Sequence, residues 1–556
     1  MATPVDLFQT HAPRLERALR ACATREAWTP FIESPSAKFH PEGAKAAGLQ
    51  WFEGVLGRPY PLSMPGEVGR TGAEVSPYTR ASLGIDYPKV EVDALMAAAK
   101  GAMPRWRDAS VQARVGVCLE ILDRLARDVF GNAFATMHTA GQGFMMAFAG
   151  SGANSLDRGL EAVAYAYKAM QDVPTEAVFE RSFGGAPVRL RKRYRLVPRG
   201  VAVVVSCGSY PAWNAYPALF ANLATANPVV LKPHPECILP MARAVQIARE
   251  TLAELGFDPD LVTLAADTRS EPITKALLQH PDTAIIDFTG SQGFGAWIEQ
   301  HCRHADVYTE TAGCNAVVVE SAVALEPVLD AIAQSLCLFS AQMCTAAQNV
   351  FVPADGVRVG ESRVSPESFA TGLAAAVDRM LADPSHAAGI CGALQTDAIE
   401  TTLAALADHP GVVRPSRPYA HPQHPNARTA TPLLIRTRAP DTVYQREHFG
   451  PVGFVIEAAS AEDALRHASD DAGRFGSIAN YAYSVDPQFQ TAIEDAFAHR
   501  GASVGINLLG QRPINFTAAF SDYHVTGLNP AGNACLTDLA FVTRRFRIVQ
   551  SKTELG

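Results

Sequence analysis

Short apolar runs alternate with amphipathic segments from about residue 198 onward. Continuous apolar runs predict strands buried on both faces, and apolar residues three and four apart predict helices between them. The predicted strands are Val201–Val205, Val229–Leu231, Leu261–Ala265 and Thr283–Asp287, and the predicted helices are Ala212–Ala226, Ile238–Leu255 and one beginning near Ser291. This alternation is typical of a parallel sheet with helices on both sides.

A second alternating series predicts another α/β domain, joined to the first near residue 311. Its elements are the strand Ala316–Val319, the helix Glu326–Met343, the strand Asn349–Val352 and the helix Glu367–Leu381. Upstream, Val111–Asp128 and Leu156–Gln171 have the apolar spacing of amphipathic helices, whereas Phe144–Gly152 fits neither pattern. Residues 1–100 are irregular and partly helical, and their role stays open.

Residues 188–196 alternate apolar and basic side chains, interrupted only by Lys192. Alternation with period two predicts a half-exposed strand or hairpin arm. Such an arm could pair with another subunit, and a solvated sheet edge is an equal alternative.

The composition limits the partners of the chain. Of 556 residues, 48% are hydrophobic and 19% are charged, and the net charge is −8. An acidic globular protein gives no reason to expect nucleic acid or an anionic membrane as a partner. No apolar run reaches the roughly 18 residues of a membrane span, and the first residues lack the pattern of a secretory signal.

Ten cysteines are scattered without a CxxC pair, which predicts reduced thiols and a cytoplasmic protein. His301, Cys302 and His304 lie close together but lack an acidic third ligand at metal-like spacing. We therefore predict no metal site.

Three motifs follow predicted strands, where ligands bind in open α/β sheets, and a fourth precedes one. The turn around Gly290 and Ser291 opens a helix and could receive a pyrophosphate, although a structural turn is an equal alternative. Lys232 ends a strand, Asn214 follows one, and Glu447 precedes one. Taken singly, these three residues are as well explained by a surface lysine and two turns.

Cys344 and Glu310 are separated by 34 positions (344 − 310). A thiolate can attack a carbonyl carbon, and a nearby carboxylate can activate water to release the attached acyl group. This pair therefore points to covalent catalysis followed by hydrolysis.

The motifs together resemble those of the aldehyde dehydrogenase superfamily. In order they are Trp-Asn, Lys-Pro, Phe-Thr-Gly-Ser, Glu-x-x-Gly, Gln-x-Cys and Glu-x-Phe-Gly-Pro, within about residues 95–535. The segments Phe520–His524 and Leu536–Asp538, with the long N-terminal lead-in, look most like the phenylacetate-degradation branch.

The resemblance implies an aldehyde dehydrogenase-like α/β fold with a Rossmann-type cofactor domain, an α/β catalytic domain and a small β oligomerisation arm. The predicted parts are 1–171 (N-terminal extension and helical part of the cofactor domain), 172–197 (arm, first part), 198–311 (cofactor domain), 312–507 (catalytic thiol domain) and 508–556 (C-terminal return and arm). A homodimer or a dimer of dimers is expected.

The resemblance also implies a role for each motif residue. Cys344 would be the nucleophile, Glu310 the base for the deacylating water, and Asn214 with the backbone N–H of Cys344 the oxyanion hole. In the cofactor site, Lys232 would hold the adenosine ribose, Ser291 with Gly290 the pyrophosphate, and Glu447 the nicotinamide ribose, with Phe449 beside it.

Two positions depart from the family pattern. Ala341 stands where a glycine is usual before Gln-x-Cys, which limits backbone freedom. Pro235 stands three residues after Lys232, where members that prefer NAD often carry a glutamate. Because a glutamate would repel a 2′-phosphate, we predict NADP over NAD, although Glu236 could still reach the ribose.

The predicted function is oxidation of an aldehyde from aromatic breakdown, or of a CoA-linked semialdehyde, to the acid. The alternatives are a CoA-acylating dehydrogenase, which would not need Glu310, a non-redox hydrolase that uses Cys344, and a non-catalytic nucleotide-binding scaffold.

Overall fold

The computed structural model describes residues 3–185, 187–311, 313–510, 517–524 and 538–555. The N-terminal part is mainly helical, with one two-stranded sheet. Its elements are α1 (Pro4–Thr24), α2 (Ala44–Val55), β1 (Glu67–Thr71), β2 (Tyr87–Val90), α3 (Val92–Asp108), α4 (Val111–Arg127), α5 (Val129–Ala140), α6 (Phe144–Phe148) and α7 (Asn154–Gln171). Helix α1 packs on α4 and α7, and at Gly116 the two backbones approach so closely that a Cβ would overlap Pro4.

The first large sheet has five parallel strands in the order β7-β6-β5-β8-β9. Its elements are β5 (Val201–Val205), α8 (Pro211–Ala224), β6 (Val229–Lys232), α9 (Leu239–Glu254), β7 (Val262–Leu264), α10 (Thr274–Gln279), β8 (Thr283–Gly290), α11 (Gln292–His301) and β9 (Asp306–Thr311). Each predicted strand of this series is confirmed to within a few residues. The strand order of the sheet reverses between β5 and β8, so the cleft at the carboxyl ends of these two strands is the expected ligand site.

The second large sheet has seven strands in the order β15-β16-β17-β12-β10-β18-β19, and only the β15–β16 pair among them is antiparallel. Small strands β11, β13 and β14 form a separate sheet. The elements of this region are β10 (Ala316–Val319), β11 (Ser321–Ala322), α12 (Leu325–Cys337), β12 (Asn349–Pro353), β13 (Val357–Val359), β14 (Ser362–Val364), α13 (Pro366–Met380), α14 (Pro384–Cys391), α15 (Asp397–Leu406), β15 (Val412–Arg414), β16 (Leu433–Arg438), β17 (Val452–Ala458), α16 (Ala461–Phe475), β18 (Ala479–Tyr483), α17 (Pro487–Ala498) and β19 (Ser503–Ile506).

The basic strand lies in the middle of a three-stranded antiparallel sheet. Strand β4 (Pro187–Pro198) pairs with β3 (Glu176–Ser182) on one side and with β20 (Phe546–Glu554) on the other. Helix α18 (Leu539–Thr543) leads into β20, and Arg545 between them forms a buried ion pair with Asp287 at 2.6 Å. The predicted arm is thus a sheet that ties the C-terminal segment to the region of the five-stranded sheet.

One predicted helix is wrong at its end. Helix α12 stops at Cys337 and does not continue to Met343. Phe339, Ser340 and Ala341 instead adopt φ values of 49°, 51° and 51°, in the left-handed region. The segment Phe144–Gly152, which fitted no pattern, forms α6 and a π-helical turn that runs into α7.

The two large sheets and their helices form the predicted mixed α/β architecture with mainly parallel strands. The domain boundaries given above stay a prediction. Of the C-terminal segment that suggested the phenylacetate branch, residues 525–537 lie outside the described residues, as does Ala312 of the Glu-x-x-Gly motif.

Candidate active site

A long cleft runs along the carboxyl edge of the five-stranded sheet, with about 2360 Å³ of empty volume. Each cofactor-site residue predicted from the sequence lies on its wall: Lys232, Gly290, Ser291, Glu447 and Phe449. The first three come from the ends of strands β6 and β8, and the last two from the loop before β17. The cleft thus gathers residues of the two large sheets that are more than 200 positions apart.

One end of the cleft suits a pyrophosphate. Ser291 is the exposed N-cap of α11 and makes no side-chain capping hydrogen bond, so the first backbone N–H groups of the helix face the cleft. A Cβ on Gly290 would come within 2.7 Å of the Phe288 ring. N–H donors and the positive end of a helix dipole favour a bound anion, so this end fits a dinucleotide.

Lys232 is buried and forms an ion pair with Asp267. Its Nζ lies 2.7 Å from Asp267 Oδ1 and donates to the backbone oxygen of Pro233 at 2.6 Å. Burial lowers the pKa of the Lys232 ammonium, and the Asp267 carboxylate opposes that shift. Asp267 could not be predicted from the sequence, because an aspartate after a short strand has no spacing that distinguishes it from other aspartates.

Glu236 does not lie on the wall of the cleft in the structure. Its carboxylate accepts two hydrogen bonds from the Arg269 guanidinium, at 2.6 and 2.9 Å. Arg269 itself lines the cleft near Lys232, together with His234 and Pro235. This part of the cleft wall therefore carries a cation, Arg269, whose charge is balanced by the Glu236 carboxylate.

The nucleophile loop is fixed by two buried amide side chains. Gln342 donates to the backbone oxygens of Phe339 and Ala393, at 3.1 and 3.0 Å. Asn315 donates to the oxygens of Cys344 and Ala346, at 2.7 and 3.0 Å. The glutamine of Gln-x-Cys therefore holds the loop in a conformation that non-glycine residues such as Ala341 adopt only at a cost.

Cys344 lies where the cleft meets a second cavity and belongs to the walls of both. Burial raises the pKa of its thiol well above the ordinary value, and the neighbouring Glu310 carboxylate raises it further. The thiol therefore keeps its proton at neutral pH until a base removes it. Steric crowding explains the glycine of Glu-x-x-Gly, because a Cβ on Gly313 would overlap the backbone oxygen of Gly476.

Glu310, at the end of β9, is buried between two partners. Asn214 Nδ2 donates to its Oε2 at 3.2 Å, and His524 Nε2 lies 2.9 Å from its Oε1. The structure thus brings the three predicted catalytic residues together. It adds His524, whose sequence context indicated no role beyond the resemblance of Phe520–His524 to the phenylacetate-degradation branch.

The second cavity has about 910 Å³ of empty volume and a mainly apolar wall. Its lining comes from five separated segments of the chain: Glu33; Met146, Ala149, Gly150 and Asn154; Tyr210, Trp213 and Asn214; Leu338, Met343, Cys344 and Thr345; and Thr517 and His524. Glu33 Oε1 accepts a hydrogen bond from Asn154 Nδ2 at 2.7 Å. The N-terminal extension thus contributes a carboxylate to this cavity, which no sequence pattern indicated.

The donor atoms of Glu310, Cys344 and His524 lie within 4.8 Å of one another, close enough to share a metal ion. Because the first two already have the chemistry of a base and a nucleophile, we interpret the group as catalytic, and the absence of a metal stays a prediction. None of the helices in the described ranges is long and apolar enough to span a membrane.

A cleft suited to a dinucleotide thus meets an apolar cavity at a buried cysteine, and comparisons with known proteins give the family of the chain. The profile of the aldehyde dehydrogenase family matches residues 70–478, so the chain belongs to that family. A crystal structure described as an NAD-dependent aldehyde dehydrogenase from Burkholderia multivorans is 42% identical, with 99% of each chain covered and a TM-score of 0.96.

More distant relatives share the fold. The 1-pyrroline-5-carboxylate dehydrogenase 2 of Halalkalibacterium halodurans is 26% identical over 59% of this chain and 64% of its own. The matched part thus spans less than two thirds of that relative. A mutant form of the Thermus thermophilus 1-pyrroline-5-carboxylate dehydrogenase is 19% identical, covers 95% of this chain and 100% of its own, and has a TM-score of 0.72.

Proposed function

We propose that the protein oxidises an aldehyde to a carboxylic acid with NAD(P), through a thiohemiacetal and a thioester on Cys344. The observation that carries this proposal is the position of Cys344 between a cleft suited to a dinucleotide and an apolar cavity. Glu310 beside it supports release of the acyl group by water rather than by CoA.

The residues act in a definite order. The Cys344 thiol gives up its proton to solvent in the cleft, and its sulfur then attacks the aldehyde carbon. Asn214 has two amide hydrogens, so one can hold Glu310 while the other donates to the oxyanion. Such a donor is worth about 3–4 kcal/mol.

The bound nicotinamide supplies the acceptor for the hydride that leaves the thiohemiacetal. Glu310 then takes a proton from water, which attacks the thioester carbon. The carbon–sulfur bond breaks, the acid leaves, and Cys344 recovers its proton. The cofactor-site roles of Lys232, Gly290, Ser291, Glu447 and Phe449 belong to this proposal.

NADP is the proposed cofactor. Pro235 leaves no carboxylate at the third position after Lys232, and Arg269 on the cleft wall can pair with a phosphate. The relative from Burkholderia multivorans is described as NAD-dependent, so both cofactors belong in every assay. Arg269→Ala should raise the KM for NADP and leave that for NAD unchanged.

The proposed substrate is an aldehyde whose chain is uncharged near the reacting carbon, such as one from aromatic breakdown or a CoA-linked semialdehyde of the phenylacetate branch. Tyr210, Trp213, Met146 and Leu338 give the cavity an apolar wall. The names of several relatives suggest 1-pyrroline-5-carboxylate instead. Glu33 argues against that substrate, and within the described ranges no lysine or arginine lines the cavity to bind a carboxylate.

The sheet β3-β4-β20 is the proposed oligomerisation arm. Val178, Ile548 and Val549 in it, and Phe183 just after β3, expose half or more of their surface, which is unusual for apolar side chains grouped on one sheet. A homodimer or dimer of dimers in analytical ultracentrifugation, converted to monomer by Val178→Glu with Ile548→Glu, would support this assignment. A monomeric wild-type protein would reject it.

The deciding experiment is cofactor reduction by purified protein, with NADP and NAD side by side. The substrates are aromatic aldehydes, CoA-linked aldehydes and 1-pyrroline-5-carboxylate, each without free CoA. Reduction with the acid as product is the expected result. Reduction that begins only when CoA is added would replace the hydrolytic proposal by the acylating alternative.

A further inference from the structure

His524 lies at the centre of the site, although it is 214 positions from Glu310 in the chain. Both side chains are almost completely buried, and His524 Nε2 is 2.9 Å from Glu310 Oε1. A carboxylate oxygen only accepts hydrogen bonds, so Nε2 must carry the hydrogen in this contact. Together with Asn214, which donates to Oε2 at 3.2 Å, His524 leaves the carboxylate a single orientation.

The segment that carries His524 is held from the other side by buried charged groups. Arg158 donates to the backbone oxygens of Thr517 and Asp522, at 3.1 and 3.4 Å, and pairs with Glu161 at 2.8 Å. Arg25 of the N-terminal extension donates to the oxygen of Ser521 at 3.2 Å. These contacts fix the backbone on the approach to His524.

The ring of His524 is fixed as well. It packs edge-on against Trp213, with ring centroids 4.8 Å apart, and the Arg158 guanidinium lies over the Trp213 ring at 4.9 Å. An imidazole packed in this way can hold its partner in a defined place, as a mobile surface histidine could not.

We propose that His524 is a positioning residue for release of the acyl group: its Nε2–H holds the Glu310 carboxylate in the orientation from which that group takes a proton from water. The proposal rests on the role of Glu310 in the proposed function. In this step water adds to the thioester carbon, its proton passes to Glu310, and the carbon–sulfur bond breaks to release the acid. Cys344 then recovers a proton from Glu310, so His524 neither gains nor loses one.

Two substitutions separate this role from a merely structural one. His524→Leu fills the space beside Trp213 but removes the donor, whereas His524→Gln keeps an N–H donor at similar reach. We expect a full burst of reduced cofactor in His524→Leu, followed by steady-state turnover about 10- to 100-fold slower than wild type. His524→Gln should recover most of the turnover, and exposed His304→Leu should behave as wild type.

A second readout does not depend on the aldehyde or the cofactor. p-Nitrophenyl acetate can acylate Cys344 with release of p-nitrophenolate, and the acetyl thioester then needs the same water step. His524→Leu should retain the p-nitrophenolate burst and slow the later phase by the same factor. Suppose that wild type lacks dehydrogenase activity, and that His524→Leu slows only the later phase of ester turnover relative to wild type. The proposed oxidation then fails, and the role of His524 stands.

Three results would overturn the role of His524. One is normal turnover by folded His524→Leu, and another is loss of its burst while cofactor binding and thermal unfolding remain those of wild type. The third is failure of His524→Gln to recover activity that His524→Leu has lost.

Discussion

The proposed cofactor cleft and the proposed aldehyde cavity meet at Cys344, but the chain builds them differently. The cleft takes Lys232, Gly290 and Glu310 from the ends of strands β6, β8 and β9 of one parallel sheet. Such strand ends meet at one edge whatever the loops do, so a cleft of this kind can be recognised in the sequence.

The cavity instead combines parts that no single sheet holds together. Glu33 comes from the N-terminal extension, Met146 and Asn154 from either side of a π-helical turn, and His524 from the C-terminal segment. Each is placed by long-range contacts such as those of Arg25 and Arg158 with the segment before His524. This difference separates the general chemistry of the site from the features that select a substrate.

The strongest test of the comparison is at the junction. Cys344→Ala should abolish aldehyde oxidation, by about 10⁴-fold or more, because the covalent intermediate cannot form. Cofactor binding, measured by fluorescence titration, should remain intact because the cleft keeps its other walls. Cys302→Ala, which removes a buried thiol outside the site, serves as the control. Undiminished turnover in Cys344→Ala would reject the nucleophile.

The sequence could predict both sheets and the cleft residues because strand periodicity and position after a strand are local properties. The helix prediction was wrong at residues 338–343. Apolar residues continue the spacing of α12 there, but the backbone adopts the left-handed conformation at Phe339–Ala341. Hydrogen bonds from Gln342 and Asn315 impose that turn, and their partners at Ala393 and Ala346 cannot be read from spacing.

Glu33 and His524 could not be predicted for a related reason. Neither residue belongs to a periodic pattern. Each is brought to the site by a hydrogen bond between its own chain segment and a side chain of α7. Asp267 is an intermediate case, since it follows β7 at the expected edge, but only its ion pair with Lys232 distinguishes it from other strand-end aspartates.

The second test is on the cleft side. Lys232→Met should weaken cofactor binding about tenfold by removing a charged donor. It should also lower the free energy of unfolding by about 3–5 kcal/mol, because Asp267 is left buried without its cation. Adding Asp267→Asn should restore the stability but not the affinity. Urea unfolding and titration with NADP and NAD measure the two effects. Wild-type affinity in the double variant would remove Lys232 from the cofactor site.

The third test concerns pH and Glu447. Burial, with the nearby Glu310 carboxylate, raises the pKa of Glu447 to about 7 from an ordinary value of 4.5. The folded protein therefore holds this proton more tightly than the unfolded chain does. The resulting stabilisation is complete below about pH 4.5 and is lost as the pH rises through about 7.

Glu447→Gln should remove this part of the pH dependence, about 2 kcal/mol after allowance for partial exposure to the cleft. Urea unfolding from pH 4 to 8 compares the variant with wild type and with Glu361→Gln, which alters an exposed carboxylate. In wild type the KM for the cofactor should fall over the same range, because only the ionised carboxylate accepts from both ribose hydroxyls. Identical pH profiles for wild type and Glu447→Gln would show that Glu447 is not buried as described.

The prediction with the smallest expected effect concerns Glu33 in the apolar cavity. Glu33→Gln keeps an oxygen that accepts from Asn154 and removes the negative charge. An anionic aldehyde such as succinic semialdehyde should then gain about fivefold in kcat/KM relative to benzaldehyde, because relief of one partly solvated like-charge contact is worth about 1 kcal/mol. Glu42→Gln, on the same N-terminal segment and also exposed but outside the cavity wall, should leave the ratio unchanged. Since Glu33 does not line the cleft, the KM for NADP should be equal in both variants. An unchanged aldehyde ratio in Glu33→Gln would mean that the N-terminal extension closes the cavity without selecting its ligand.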